Sequence, residues 1–393
     1  MSKILVLALL AVLGVGATVW YVQRTPVVAP APAVSETSPL PSPAVSEAPP
    51  VSDAEINEFD FDYAAEIADT DGSRNMVFSP FTTYVQLLFL ERVANHVKGV
   101  DDSPKIARQA QLLDSLLADA AFKFSSEFIV SADMGIDSWT SREFARNKIE
   151  YSIDPARLGK MPSRFSKEEL ELPGWIHGLW ISKFELNGTW AAFGEVTTVE
   201  ASFLGLGDKS IECDFVRLWC SAKSNFSSED STLVLEIPYN EGYSLLTVMP
   251  EKWDTAKALE TLETVISGET ALEKKLSIRV MIPKFSIKCA DPIDPMLDKM
   301  GYLATYTRCI PLVGTRTRDM NFIVKVDAKA KILCNEQGTK MEAETGAGFV
   351  TTGYGPRKPL VLDHPFLYAL RHDATGIIVG LGWVVDPTSG IEE

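Results

Sequence analysis

Hydrophobic positions follow two different spacings along this chain, a helical one early and an alternating one in most of the remainder. Residues 53–68 place apolar side chains at steps of three and four, which predicts an amphipathic helix. Residues 180–186 alternate and residues 232–239 are largely apolar between turn residues, which predicts strands. Because helices concentrate early and strands late, without regular alternation of the two, we expect an α+β fold with antiparallel or mixed sheets.

The same two spacings predict the remaining elements. A short strand before Ser79 leads into a helix that Ser79 caps, with Pro80 at its first position. Asn187–Gly188 is a turn signal and is predicted to end the strand 180–186. Helices are predicted over 53–68, 81–93, 107–121 and 252–266, strands over 124–130, 148–153, 180–186, 276–285 and 331–334, and hairpins from the strand pairs 232–239/243–250 and 360–371/375–385.

The N-terminal residues predict a targeting segment followed by a spacer. An uncharged run over 4–22 would make about 28 Å of helix, close to the hydrocarbon thickness of a bilayer. Residues 1–24 therefore predict either a membrane anchor or a signal peptide, whose cleavage site would be the small residues 15–17. The proline-rich residues 25–52 predict a linker. We expect the folded domain over 53–393, outside the cell, either secreted or anchored to a membrane.

Charge and reactive side chains exclude several classes of function. A net charge of −16 argues against nucleic-acid binding, which requires clustered Lys and Arg. The four histidines belong to no metalloprotease motif, and the serine-hydrolase and nucleotide-binding motifs are missing from the sequence. We therefore expect no enzyme activity, no metal and no cofactor.

The cysteines match no metal-binding spacing. Cys213 and Cys220 could pair across a short loop in an oxidising compartment. The favoured interpretation is that the thiols are isolated and buried; they belong to Cys213, Cys220, Cys289, Cys309 and Cys334.

The most specific pattern lies in residues 335–366. A strand-like run ends at Asn335, an alternating polar segment and a glycine-rich stretch follow, and an apolar strand then opens with residues 363–366. This order resembles the hinge, reactive loop and following strand of the serpins, a family that includes suicide inhibitors of serine proteases. Further stretches resemble the family in the same order; they are Asn75 with Ser79–Pro80, Trp190 after its strand, the hairpin 236–250, the Pro–Lys–Phe strand at 283–285 and the closing hairpin 365–387.

The resemblance implies a mechanical form of inhibition. A protease would attack the exposed loop, at about residues 338–359, as if it were a substrate, and would form an acyl-enzyme. The freed loop would then enter the main sheet as a new strand and carry the protease with it.

The resemblance also implies the hinge residues, and their alternation suits a strand. One face would carry small or apolar side chains and the other face charged ones. Met341 is larger than the family's usual residue, which costs roughly 1–3 kcal/mol, but about ten new backbone hydrogen bonds at ~1 kcal/mol each outweigh that cost. The hinge residues are Glu336, Gly338, Thr339, Met341, Ala343 and Thr345, and the charged face carries Lys340, Glu342 and Glu344.

Two ways of counting place the scissile bond at different residues. The hinge-to-bond distance that the resemblance implies, counted from Glu336, ends on Thr352, so that Thr352–Gly353 would suit an elastase-like enzyme. Counting back from residues 363–366 ends on Tyr354, so that Tyr354–Gly355 would suit a chymotrypsin-like enzyme. The expected partner is a serine protease of one of these types, and we expect the inhibitor to be a monomer.

Two departures from the family's pattern leave a second function open. Ala328 and Ser182 stand where the family usually has a histidine and an asparagine that help to control sheet opening. Residues 151–180 are also short for the helix that covers the sheet, and only 165–172 could fill that role. The alternative is a non-inhibitory serpin scaffold that binds or carries a ligand and is displayed at a membrane.

Overall fold

A computed structural model gives the fold of most of the chain beyond residue 53. The predicted N-terminal segment 1–24 and the linker 25–52 lie outside the described residues, which belong to one compact unit, Ala48–Glu393. None of the described helices is long and apolar enough to cross a membrane. The described residues are 54–85, 111, 114–116, 118, 121–130, 138–146, 149–153, 160–161, 170–171, 178–228, 231–292, 299–300, 327–341 and 359–389.

Helices and strands follow one another as the α+β prediction requires. The described helices are α1 (Ala54–Asp71), α2 (Ser138–Arg146) and α3 (Thr255–Ile266), and residues 80–85 are also helical. The described strands are β1 (Met76–Phe78), β2 (Phe122–Val130), β3 (Ile149–Ile153), β4 (Lys160–Met161), β5 (Leu170–Glu171), β6 (Gly178–Thr189), β7 (Thr197–Gly205), β8 (Lys209–Ser227), β9 (Thr232–Pro238), β10 (Tyr243–Met249), β11 (Glu273–Pro283), β12 (Phe285–Pro292), β13 (Asp327–Asn335), β14 (Gly338–Met341), β15 (Leu360–Val361), β16 (Phe366–His372) and β17 (Ile378–Val384).

The helices bury the apolar stripes that their sequences predict. In α1, Phe59, Tyr63 and Ala64 are buried. The carboxylate of Asp254 caps α3 by accepting a hydrogen bond from the Lys257 amide at 3.1 Å. Helices α1 and α3 pack against each other, and they also contact β10, β16 and β17. The apolar stripes thus cover one side of a sheet.

The larger sheet supplies most of the hydrophobic core. Its nine strands run in the order β1-β17-β16-β10-β9-β8-β11-β15, with β7 paired to β8 outside this path. Strands β9, β10, β16 and β17 are apolar runs buried along nearly their whole length. The predicted pairings of β9 with β10 and of β16 with β17 are confirmed, and both pairs are antiparallel.

The smaller sheet contains the predicted hinge. Its six strands run in the order β12-β13-β14-β6-β2-β3. Along β13, Ala330, Ile332 and Cys334 are buried, whereas Lys331 and Leu333 between them are only half-buried. This period of two places one face of the sheet on the core and the other face outward.

Three predicted strand boundaries are wrong, and each error has its cause in a distant partner strand. The stretch 276–285 is two strands, because β11 pairs with β8 in the larger sheet and β12 pairs with β13 in the smaller one. The stretch 360–371 also divides, since β15 pairs with β11 and β16 pairs with β10. Strand β6 continues through Asn187–Gly188 to Thr189, because β14 pairs with it there.

Other elements were missing from the sequence prediction or differ from it. Helix α2 and the long antiparallel pair of β7 and β8 were not predicted. Within 165–172, the stretch suggested as a covering helix, Leu170–Glu171 form the short strand β5, which pairs with β4. The remainder of that stretch lies outside the described residues.

A buried carboxylate joins three strands of the larger sheet. Glu236 of β9 is 7% exposed. The Lys223 ammonium of β8 lies 2.6 Å from one oxygen of its carboxylate. The Arg371 guanidinium of β16 lies 2.9 Å from the other oxygen. Each carboxylate oxygen therefore has a cationic partner, and a buried charge is tolerated only when it is paired in this way.

We expect the change Glu236→Gln to lower the free energy of unfolding by about 3 kcal/mol, because it leaves two cations without their counter-ion. Urea unfolding of the purified protein measures this loss. The matched control is Lys123→Ala, which removes an exposed ion pair with Glu185 at 3.4 Å and should cost less than about 1 kcal/mol. Equal losses for the two variants would contradict the assignment.

Candidate functional site

The predicted hinge begins as a strand inside the smaller sheet. After Asn335 the chain turns at Glu336–Gln337, and β14 runs back antiparallel between β13 and β6. Thr339 lies opposite Cys334 on one side and opposite Gly188 on the other. The first residues of the hinge therefore occupy an internal position of the sheet.

The register divides the residues of β14 between the two faces of the sheet. Thr339 is 1% exposed, and Cys334 and Gly188 beside it are also buried. The backbone of Met341 lies opposite that of Leu186, another buried residue. Lys340 occupies the alternate, outward register position, opposite the half-buried Asn187. The odd-numbered positions thus share the core face, as a strand with one buried side requires.

The turn before β14 requires glycine at residue 338. Gly338 has a φ of 147°, and a Cβ there would lie 1.9 Å from the carbonyl oxygen of Gly188. No side chain fits such an approach. The turn is also held by Asn335, whose side-chain oxygen accepts a hydrogen bond from the Gln337 amide at 3.0 Å.

An aromatic pair supports the end of β13 and the neighbouring part of β6. Trp190 stacks on Tyr239 with ring centroids 4.8 Å apart, and its indole N–H donates to the Asn335 carbonyl at 2.9 Å. The Tyr239 ring also lies against Gly188, where a Cβ would come within 2.8 Å of it. Glycine at 188 therefore permits close packing inside a strand, which explains why this turn signal is not a turn.

Four polar side chains, which we call the hinge latch, join the hinge turn to the larger sheet. The ammonium of Lys284 lies 2.6 Å from the Glu336 carboxylate and 3.2 Å from the Asp214 carboxylate. The hydroxyl of Thr198 donates to the same Glu336 oxygen. Thr198 and Asp214 belong to β7 and β8, and Lys284 stands where the chain crosses between the sheets. The latch therefore ties the turn to three other segments.

The hinge latch shifts the pKa of both of its central groups. Burial alone would raise the pKa of Glu336, but hydrogen bonds from Lys284 and Thr198 outweigh burial and hold the pKa below its usual range. Burial would likewise lower the pKa of Lys284, but its hydrogen bonds to Glu336 and Asp214 raise it. Both groups are therefore charged over a wide pH range around neutrality.

The structure brings four of the predicted site residues together. Glu336, Gly338, Thr339 and Met341 lie in the turn and in β14. The hinge residues Ala343 and Thr345 and the candidate scissile residues Thr352, Gly353, Tyr354 and Gly355 lie outside the described residues.

Sequence reasoning missed the partners that hold the hinge. Thr198 and Asp214 belong to the unpredicted pair of strands, so nothing in the sequence placed them near Glu336. Lys284 was visible only as part of the Pro–Lys–Phe motif. Lys284 is a single cation between two apolar stretches. That signal could have indicated that one strand ends there and that the lysine has an acidic partner.

The described cysteines are thiols that form no disulfide. Cys213, Cys220, Cys289 and Cys334 are buried and outside any disulfide, so the interpretation as buried, unbridged thiols is confirmed for these four and the pairing of Cys213 with Cys220 is wrong. Burial raises the pKa of the Cys334 thiol to about 12, so this thiol beside Thr339 is un-ionised at neutral pH. Cys309 lies outside the described residues. Within the part of the chain that the structure describes, no cluster of side chains could hold a metal ion.

We expect Glu336→Gln to destabilise the protein by about 1 kcal/mol at pH 7, since the latch ion pair is only partly buried. A carboxylate with a lowered pKa in the folded state stabilises the fold above its unfolded pKa, roughly pH 4.3, and this stabilisation disappears as the pH falls through the folded value. The difference between the two proteins should therefore shrink as the pH falls below the unfolded pKa and through the lowered folded one. Urea unfolding at several pH values measures it.

Gln337→Glu is the control for this pH series, because it places a carboxylate at the exposed neighbouring residue of the same turn. It should change stability little at any pH. A loss for Glu336→Gln that did not shrink as the pH was lowered would contradict the latch.

Comparison with proteins of known sequence finds relatives named as serpins and as leukocyte elastase inhibitors. The chain is 27% identical to Serpin-ZX of Hordeum vulgare over 229 residues, and this alignment covers 54% of each chain. It is 24% identical over 300 residues to the leukocyte elastase inhibitor of Bos taurus, covering 70% of this chain and 78% of the relative. The chain spans about half the length of the first group of curated relatives, the cereal serpins.

Solved structures with the same fold cover most of the chain. Thyroxine-binding globulin in complex with thyroxine superposes with a TM-score of 0.68 at 17% identity, over 86% of this chain and 99% of that one. The mouse protein-Z dependent protease inhibitor gives a TM-score of 0.67 at 15% identity, over 86% and 96%. The family model described as "Serpin (serine protease inhibitor)" matches residues 176–387, more than half of the chain. Because this family model covers more than half of the chain, the protein belongs to the serpin family.

Proposed function

We propose that this protein inhibits a serine endopeptidase as a suicide substrate, by cleavage of its reactive loop and insertion of that loop into the smaller sheet. The observation that carries the proposal is the position of β14. Gly338, Thr339 and Lys340 pair with both β13 and β6, and Met341 pairs with β6, all in the antiparallel sense that a continuing strand would keep. A loop cut beyond residue 350 could extend this strand without breaking any of the pairings between the described strands.

The facing edges of β13 and β6 support this extension. Beyond Met341, the described strands supply no partner to residues 327–332 of β13 or to residues 178–184 of β6 on these edges. A strand entering there would gain main-chain hydrogen bonds on both sides, each worth about 1 kcal/mol net. The gain grows with every residue that enters.

The inward positions of the extension suit a packed sheet. If the β14 register continues, Ala343 comes level with Ala330 and Phe184, and Thr345 comes level with Ala328 and Ser182. The incoming residues are small, and three of these four flanking residues are small. The incoming strand would therefore bring no large or charged side chain to the core at these two levels.

The target class and the location remain part of the proposal. Thr352–Gly353 suits an elastase-like protease and Tyr354–Gly355 a chymotrypsin-like one, and a relative named leukocyte elastase inhibitor supports the first. The uncharged run over 4–22 supports a location outside the cell, by secretion or by membrane anchorage. We expect a monomer to meet the protease.

Mixing the protein with elastase-like and chymotrypsin-like proteases should give a covalent complex at the summed mass on a denaturing gel. The acyl-enzyme survives because insertion distorts the protease before water can release it. Mass spectrometry of the released C-terminal peptide then distinguishes cleavage after Thr352 from cleavage after Tyr354. The control is each protease inactivated beforehand at its catalytic serine, which should give no complex.

Cleavage without any trapped complex, across a panel of both protease types, would contradict inhibition. It would favour the second candidate, a non-inhibitory scaffold that binds or carries a ligand. The residues Ala328 and Ser182 favour that candidate, because the family's usual histidine and asparagine are replaced there.

We expect Thr345→Arg to convert the inhibitor into a substrate that is cleaved without forming a complex. The change would force a charge onto the inward face at the level of Ala328. Burying an unpaired charge costs far more free energy than the backbone hydrogen bonds of one strand residue contribute. Thr345→Ala keeps a small residue at the same place and should still form the complex. Trapping by Thr345→Arg at the normal yield would show that the assumed register is wrong.

A further inference from the structure

Two arginines lie beside a tryptophan on the outward face of β8 and β11 in the larger sheet. In β8, Arg217 and Trp219 are partly exposed and alternate with buried residues, and in β11 Arg279 and Met281 do the same. The two strands pair so that Arg279 lies opposite Trp219 and Met281 lies opposite Arg217. Since directly opposite residues of an antiparallel pair share a face, these four side chains belong to one surface.

Phe193 extends this surface on the other side of β8. Its amide donates to the Trp219 carbonyl at 2.6 Å, and the residue before it bridges to the buried Cys220. Phe193 is 57% exposed, although phenylalanine is among the residues most often buried. Phe193, Trp219 and Arg279 therefore form a row across three segments of the chain. We call this row, together with Arg217, the arginine patch.

Neither arginine of the patch has a counter-ion among the residues that the structure describes. The Arg279 guanidinium lies 4.8 Å from the centroid of the Trp219 ring, which is a cation–π contact. The Nε of Arg279 is buried and has no hydrogen-bond partner in the described part of the chain. Arg217 donates from Nε to the Thr197 hydroxyl at 3.1 Å. Neutral groups thus hold both guanidinium groups in place, and their positive charges are not compensated.

The chemistry of the patch is that of the centre of a protein–protein interface. Aromatic residues, methionine and arginine are enriched at interface cores, and tryptophan and arginine often carry most of the binding energy. Uncompensated arginines attract carboxylates, and they stand out in a chain with a net charge of −16. A guanidinium already held against a ring also loses little side-chain freedom on binding. The patch therefore fits an acidic protein surface.

The patch lies beside the strand that follows the proposed reactive loop. Strand β15 pairs in parallel with β11, and its Val361 lies opposite Met281. The candidate bonds after Thr352 and Tyr354 precede β15 by six to eight residues, so at most about 29 Å of extended chain joins them to this edge. A compact domain of about 200 residues has a radius of gyration of about 16 Å and hence a diameter of about 40 Å. An enzyme bound to the loop is therefore large enough to reach the patch.

Resting on the inhibitory function proposed above, we propose that the arginine patch is a second docking surface for the target protease, and that this protease carries acidic side chains beside its active-site cleft. The loop supplies the bond that is cut, and the patch supplies contacts that are independent of the loop sequence. Its charges accelerate the encounter, because opposite charges steer diffusion. The patch thus selects among proteases that could cut the same loop.

The test measures the second-order rate constant at which the protein traps elastase-like and chymotrypsin-like proteases at physiological ionic strength. Reversing both charges, Arg217→Glu with Arg279→Glu, should slow trapping roughly tenfold and leave the cleaved bond unchanged. Sodium chloride at 1 M should remove most of this difference, because it screens the charges. Phe193→Ser, which changes a side chain that is already exposed, should slow trapping at low and high salt alike, because its contact is apolar.

Lys209→Glu is the matched control, because it reverses a charge on the same strand. Lys209 is exposed at the start of β8, eight residues from Arg217 and so about 26 Å away. The Debye length at physiological ionic strength is about 8 Å, so this reversal should change the trapping rate less than about twofold. Thermal unfolding shows whether each variant is folded. If the double reversal unfolds early, Arg217→Gln and Phe193→Ser decide the question.

Binding to the same proteases, inactivated at the catalytic serine, separates the two proposals. Trapping that the patch variants leave unchanged or accelerate, or that Lys209→Glu slows equally, would overturn the docking surface alone. No trapping, but binding that the patch variants weaken, would overturn inhibition alone. No trapping, with binding that is absent or insensitive to the patch variants, would overturn both.

Sedimentation of the protein without a protease tests a second copy of the chain as the occupant. The unaltered protein should sediment as a monomer. A dimer that Phe193→Ser dissociates would show that a second copy covers the patch, and it would overturn the assignment to a protease.

Discussion

Thr339 lies between Cys334 and Gly188 in a ladder that is paired on both sides, and the surrounding packing depends on this placement. The space beneath Gly188 is occupied by the Tyr239 ring, which in turn stacks on Trp190. A larger residue at 188 would displace the ring and with it the support of Asn335, where the hinge turn begins. The packing of Thr339, Gly188 and the Trp190–Tyr239 pair is therefore mutually dependent, since a change in the size of one of them would displace the others.

The hinge latch and the strand that it precedes have different roles. Glu336 stands before β14, so its contacts with Lys284 and Thr198 are compatible with any length of inserted strand. The latch can set where the strand begins, but it cannot determine how far the strand extends. In the proposed insertion, that extent would depend on main-chain pairing and on the size of the inward residues.

Sequence reasoning succeeded where the signal was local. The apolar runs of β9, β10, β16 and β17 predicted strands and hairpins because burial on both faces leaves a continuous pattern. It failed where a distant partner decides the structure. Asn187–Gly188 has the composition of a turn, but pairing with β14, some 150 residues away, and packing against the Tyr239 ring keep it extended. Lys284 finds its partners in β8 and in the hinge turn, and no local pattern encodes such a contact.

The replacement of the family's usual histidine by Ala328 has consequences for both states of the sheet. Alanine offers no side-chain hydrogen bond, so it cannot help to hold β13 against β6 before insertion. In the proposed insertion, the same small residue would leave room for Thr345 at that level. Both effects would favour the inserted state over the open one whether or not the loop has been cut, and a loop that inserts uncut can no longer trap a protease. A serpin with this substitution therefore depends more strongly on other constraints to remain uninserted. The connection from β14 to β15 is one, because an uncut chain must still return from the inserted strand to the larger sheet.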